Sequence, residues 1–278
     1  MSTAHARPSD WAGARGEQWR AHVLDMETML APIDEPLFLA LDVTSPARIA
    51  DLGCGGGGTA LELSRRAPAG TRVHGFDVSA SLVAFARARP DAHLVTFDVA
   101  DVTTATGTAP YDRIVSRFGV MFFDEPDAAF ANLAHWLAPG GRFAFAVWGP
   151  VHENPWFTVV RDHVAAVTAL PAPRPEAPGP FRYADPPTLL ALLGRAGFVD
   201  LDVQRWRGPL PFGDRLSPEA AAHFALSSFS SFGDLLSKAG SSAFDDAHRS
   251  LTSSFHRHRR DGEVRLDASV HIVTGAKR

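Results

Sequence analysis

The chain reads as an α/β fold on a largely parallel sheet, and three observations predict it. A short apolar run ends on a carboxylate, Asp51, and passes straight into glycines at positions 53 and 55–58. Two later apolar runs also end on acids, Asp77 and Asp98. Between residues 48 and 148 such runs alternate with helical or loop segments, the rhythm of parallel strands joined by crossover helices.

The elements follow in order. Residues 1–16 are polar and read as a loose arm, and 17–30 as a helix with Trp19, Val23, Met26 and Leu30 on one face. Pro32 ends that helix, and a short second one covers 35–41. Residues 1–45 thus form a helical cover on a domain spanning 46–278. Strands are expected at 48–53, 72–77, 93–98, 112–117 and 142–148. A loop over 149–157 leads to a helix at 158–170, and 171–180 is too rich in proline for a helix or a central strand. A helix at 187–196 stops at Gly197, a glycine suited to the left-handed residue after a helix end. A sixth strand covers 198–206 and an alternating last strand 264–273. Between them lies a helical insert, residues 216–260 within a lid region of about 208–262, carrying Phe224, Phe229, Phe232, Phe244 and Phe255.

The glycine cluster is a nucleotide-cofactor turn of Rossmann-like type. Glycine is needed where backbone takes positive φ or lies closer to a ligand than a Cβ allows, and the helix that follows, from Thr59, offers free N–H groups to anionic or polar ligand atoms. Gly53, Gly55 and Gly58 satisfy G-x-G-x-x-G, and Asp77 lies near the roughly 20-residue offset of a ribose-binding acid. That spacing leaves the nucleotide open. Three successive strands ending on Asp favour a cofactor other than NAD.

The ordered set comprises the glycine turn after Asp51, Asp77 followed by Val78 and Ser79, the pair Asp98 and Val99, the segment 111–123, and the Pro-Gly-Gly turn at 139–141. From about residue 11 to 198 it resembles the class I S-adenosylmethionine-dependent methyltransferases, especially those of ubiquinone and menaquinone biosynthesis and of bacterial natural-product pathways. The resemblance implies a seven-stranded sheet with helices on both faces and an antiparallel last strand. It implies S-adenosylmethionine as cofactor and S-adenosylhomocysteine as product. Asp77 would accept the ribose hydroxyls, its two oxygens matching a diol. Asp98 would accept the adenine N–H while the Val99 amide reaches a ring nitrogen, with Asp101 close enough to take the Asp98 part. Asp51 would orient the turn and attract the amino group, Gly53 and Gly55 would let backbone touch the cofactor, and Ser116 with Arg117 would face the methionine portion. Trp19 would stack near the sulfonium. His22, on the same helical face, and His152, in the loop after the fifth strand, are candidate bases.

Composition supports an ordinary enzyme domain. The 278 residues are 45% hydrophobic, enough for a sizeable core. No apolar run approaches the roughly 18 residues of a membrane span, and the first eight residues lack the apolar stretch of a signal peptide, so a cytoplasmic location without membrane association is expected. One cysteine, Cys54, excludes an internal disulfide and a multi-Cys zinc site, and no metal-ligand spacing is present. A net charge of −4 predicts no nucleic-acid partner; monomer and homodimer are both open. The expected acceptor is a small aromatic or apolar metabolite, natural-product or quinone-like, with Trp148, Trp156, Trp206 and the insert phenylalanines either lining its pocket or packing the lid. Alternatives are an NAD(P)-dependent oxidoreductase, an RNA or protein methyltransferase, and a non-catalytic S-adenosylmethionine-binding regulator.

Overall fold

A computed structural model of the chain describes residues 8–107, 110–229 and 232–278. Its N-terminal cover consists of α1 (Pro8–Ala12), α2 (Ala14–Ala21), α3 (Val23–Leu30) and α4 (Asp34–Leu41). Two expectations change here. The arm expected over 1–16 carries α1 and the start of α2, residues 1–7 lying outside the described part, and the single helix expected at 17–30 is broken at His22, where φ of −123° departs from helical geometry.

The alternating region gives β1 (Arg48–Leu52), α5 (Gly58–Arg66), β2 (Arg72–Asp77), α6 (Ala80–Arg87), β3 (Val95–Val99), β4 (Tyr111–Arg117), α7 (Pro126–Trp136) and β5 (Leu137–Trp148). Local chemistry starts these helices: the Ser79 hydroxyl caps α6 by accepting the Leu82 N–H, and Pro126 opens α7, where no N–H is needed. After α8 (Pro155–Ala165) and α9 (Pro186–Arg195) come β6 (Phe198–Pro211), the insert helices α10 (Pro218–Ser228), α11 (Phe232–Ala239) and α12 (Ser241–Arg257), the two-residue β7 (Arg259–Arg260) and β8 (Glu263–Lys277). Residues 171–180 hold neither helix nor strand.

The sheet order is β3-β2-β1-β4-β5-β8-β6, with β1 to β5 paired in parallel and β8 antiparallel to both β5 and β6. This is the α/β sheet that the motifs implied, antiparallel last strand included. Both closing strands outrun their expected lengths because they pair with each other from Phe198↔Lys277 to Pro211↔Arg265. Pro209 and Pro211 are tolerated since β6 is the edge strand, whose outer N–H groups have no ladder to serve. Among the described residues no helix is long and apolar enough to cross a membrane, and no group of three or more His, Cys, Asp or Glu is placed to hold a metal ion. The order reverses between β1 and β4, and in an open α/β sheet the crevice beyond the strand ends at such a switch is where ligands bind.

Candidate active site

A cavity occupies that crevice and follows the C-terminal strand ends across the sheet. Asp101 and Thr103 beyond β3, Asp77 and Val78 at β2, Asp51, Gly53, Gly55 and Gly56 at β1, Arg117 and Phe118 at β4, and Trp148 at β5 all line it. Its two halves differ chemically. Over β3, β2 and β1 the wall carries carboxylates; over β4 and β5 it is aromatic. Trp148 stacks on Phe118 with ring centroids 4.0 Å apart, Trp156 lies 4.5 Å from Trp148, and Phe229 meets Trp156 edge-on at 5.2 Å. The cover and the insert roof the cavity together, the Gln18 side-chain amide donating to the Ser227 carbonyl.

Asp77 is the hinge of the polar half. Oδ2 accepts the Gly55 N–H at 2.9 Å and Oδ1 the Ser79 N–H at 2.8 Å, so one carboxylate ties the glycine turn to the cap of α6 and keeps further lone pairs for a ligand. Burial pushes its pKa up, and those N–H bonds pull the other way. Asp51 is 1% exposed, and its Oδ2 has no hydrogen-bond partner. Burial raises its pKa to about 7, against the pull of Arg117, while Asp34 and Asp77 push it further up. Arg117 and Asp34 form an ion pair at 3.1 Å whose angle is not that of a hydrogen bond. A buried carboxylate oxygen without a partner, beside two other acids, favours either the neutral acid or a cation close by.

The glycines divide into two tasks. Gly55 has φ of +53°, and a Cβ there would meet only Trp19 Nε1, at 3.8 Å, across the cavity. Gly58 is glycine because of the cover: a Cβ would sit 2.6 Å from Cδ of Glu27. The Glu27 Oε1 accepts the Gly58 N–H at 3.0 Å, and Arg89 grips both Glu27 oxygens at 2.8 and 2.7 Å while donating to the Gly56 carbonyl. The first amide of α5, which the sequence suggested a ligand would use, is taken by a side chain of α3.

Of the expected site residues, Trp19, Asp51, Gly53, Gly55, Asp77 and Val78 come together on the cavity wall. Five do not. Asp98 follows Phe97 on a strand whose side chains alternate, so with Phe97 buried Asp98 turns to the other face; it pairs with His74 at 2.8 Å and Arg87 at 3.1 Å, while Val99 is exposed. Asp101 lines the cavity, its Oδ1 accepting the Thr103 N–H and hydroxyl. Ser116 is fully buried, its hydroxyl donated to the Leu52 carbonyl at 2.8 Å, and it ties β4 to β1 beneath the cavity. His22 ends α2 against the Phe224 ring, and His152 is exposed in a turn. Trp206 and the insert phenylalanines other than Phe229 also stay off the wall.

Sequence reasoning missed Glu27 and Asn154. Glu27 lies among the buried positions of α3, a charged residue on an apolar face, which is a legible signal. Asn154 carried none. Buried, it accepts the Trp156 indole N–H at 2.9 Å and the Ser269 N–H at 3.0 Å, and donates to the Gly149 and Pro150 carbonyls, so it sets the angle of the Trp156 wall.

Residues 49–141 match a family described as a methyltransferase domain. Residues 49–141 thus carry a methyltransferase domain, in line with the class I S-adenosylmethionine-dependent methyltransferases that the motifs resemble. The chain is 37% identical over 121 residues to a trans-aconitate 2-methyltransferase of Streptomyces avermitilis, covering 42% of this chain and 44% of that protein. A demethylmenaquinone methyltransferase of Thermus thermophilus is 33% identical over 132 residues, covering 46% of this chain and 59% of its own length. The match thus spans about half the length of these curated relatives. Among solved structures, phosphoethanolamine N-methyltransferase 2 of Haemonchus contortus in complex with S-adenosyl-L-methionine has a TM-score of 0.56 at 16% identity, covering 95% of this chain and 60% of that one, a likeness of fold.

Proposed function

We propose that the chain binds S-adenosylmethionine and transfers its methyl group to a small aromatic or apolar acceptor. The observation that carries this reading is the division of one cavity into a half walled by Asp101, Asp77 and Asp51 and a half walled by Phe118, Trp148, Trp156 and Phe229. The residues fit the cofactor: the unpartnered buried Oδ2 of Asp51 suits its amino group, and the space beside Gly55 that a Cβ would fill suits a close ligand. Asp77, its oxygens already oriented by two amides, would hold the ribose hydroxyls, and Asp101 takes the place expected of Asp98 at the adenine end. Trp19 offers an aromatic face to a cation, worth about 1–2 kcal/mol when desolvated.

When bound, S-adenosylmethionine supplies a methyl group already activated on a sulfonium, so the chain's part is to orient and to exclude water. Asn154 fixes Trp156, and Trp156 with Trp148 and Phe118 presents flat faces against which a planar acceptor lies beside the polar half. The Gln18 to Ser227 bond closes the roof over it. With His22 and His152 both off the wall, the reading assigns no histidine a proton-transfer role and favours an acceptor that is nucleophilic in its ambient form. The roofed cavity, with 31 acidic against 27 basic residues in the chain, favours a small molecule over nucleic acid.

Calorimetric titration with S-adenosylhomocysteine and with NADH tests the cofactor, and transfer of labelled methyl from S-adenosylmethionine to a panel of phenols, quinols and carboxylic acids tests the activity. Binding of NADH in place of S-adenosylhomocysteine overturns the reading. Binding without transfer to any acceptor makes the chain a regulator.

A further inference from the structure

Glycine turns followed by a helix serve two kinds of nucleotide. In dinucleotide-binding folds the pyrophosphate rests on the helix N-terminus, where free amides and the helix dipole favour negative charge. Here that position holds a carboxylate of the chain itself. Glu27 arrives from α3, 31 residues earlier, and its Oε1 accepts the Gly58 N–H at 3.0 Å. The Glu27 side chain is 18% exposed and lines the cavity.

The surrounding charges reinforce the same choice. Arg89, which could have served a phosphate, is already paired with Glu27 at 2.7 Å, and Arg117 is paired with Asp34 at 3.1 Å. Asp51 and Asp77 flank the turn. A phosphate brought onto this turn would find the first helix amide and Arg89 already held by Glu27, with Asp51 and Asp77 also on the cavity wall. A nucleoside carrying a cationic amino-acid chain meets attraction instead.

We infer that Glu27 is a specificity-determining residue: seated on the N-terminus of α5, it rejects phosphate-bearing nucleotides and admits an uncharged or cationic nucleoside. This rests on the S-adenosylmethionine reading of the same cavity and names the device by which the turn excludes the other nucleotide class. Specificity here comes from a repulsive element rather than an added attraction. Removing the Glu27 charge would free the Arg89 guanidinium and the Gly58 amide, which share it as acceptor at the edge of the cavity, and so create an anion site.

The test is a gain of binding. Wild type, Glu27→Gln, Glu27→Ala and Glu27→Asp are titrated calorimetrically with S-adenosylhomocysteine, ADP and NADH. Glu27→Gln should bind ADP about tenfold or more tightly than wild type, since like-charge juxtaposition costs several kcal/mol, and the gain should shrink with added salt. Glu27→Asp keeps the charge and should keep the rejection. A merely structural Glu27 would give parallel losses for every ligand. Unchanged or weakened ADP and NADH binding in Glu27→Gln overturns the inference, and the isosteric Gln variant carries the test if the Ala variant does not fold. Wild type that binds NADH and not S-adenosylhomocysteine would instead remove the methyl-transfer reading beneath it.

Discussion

The Asp77 carboxylate and the Gly55 amide meet at 2.9 Å, so the residue expected to hold the ribose also holds the turn that receives it. Replacing Asp77 by Ala should weaken S-adenosylhomocysteine binding by about 1.5–3 kcal/mol for each charge-assisted bond lost. It should also lower stability, because the Gly55 and Ser79 N–H groups lose their acceptor, at about 1–3 kcal/mol per buried orphan. Asp77→Asn, which keeps one acceptor oxygen, should fall between. Calorimetry and urea denaturation of both variants check this; unchanged affinity in folded Asp77→Ala would falsify the ribose assignment.

Gly55 and Gly58 should fail in different ways. A side chain at Gly55 projects toward the cavity, where its nearest neighbour is Trp19 Nε1 at 3.8 Å, so Gly55→Val should abolish cofactor binding beyond the roughly 1–2 kcal/mol cost of a left-handed backbone. At Gly58 the added Cβ lies 2.6 Å from Glu27 Cδ, and Gly58→Ala should cost about 1–3 kcal/mol of stability through overpacking. Titration and denaturation run side by side separate the two effects. Normal binding by Gly55→Val would make the turn purely structural.

Asp51 makes stability depend on pH. Its folded pKa of about 7 lies above the roughly 3.9 of an unfolded Asp, so the folded chain holds this proton more tightly. That contribution is complete below a pH of about 4, falls as pH climbs toward about 7, and is at its minimum above. Asp51→Asn removes the dependence. Its stability gain over wild type should be about 2–3 kcal/mol larger at pH 8 than at pH 5, read from denaturation curves without cofactor. Equal gains at the two pH values would return Asp51 to the ordinary carboxylate range.

We propose that the insert moves in part. Leu226 of α10, Leu236 of α11 and Leu251 and Phe255 of α12 are all fully buried, so burial does not set the three helices apart. The moving part should be α11, the shortest of them at 8 residues, which is followed by Gly240 (φ +118°) and lies beyond the Gln18 to Ser227 bond. Exchange in α11 should be fast in the free protein and slow with S-adenosylhomocysteine, and Gln18→Ala should keep it fast. Uniform protection across the three helices would make the insert ordinary core.

Much of this protein is written locally. Asp51, the glycines after it, Asp77 and the apolar runs before them specify strand, turn and helix within a few residues of one another, and the cavity's position at the strand ends follows from that alternation. What the chain itself could not reveal are contacts set by packing. In the sequence Asp98 closes an apolar run just as Asp77 does, yet it lies one residue short of the end of β3, pleat direction turned it toward His74, and Asp101 reached the cavity instead. Gln18 and Ser227 meet across 209 residues, and Glu27 reaches Gly58 across 31. Periodicity and turn chemistry are short-range and survive in one dimension. The approach of one helix to another's end, and the side chain that fills the gap, exists only once the core has fixed where each element lies.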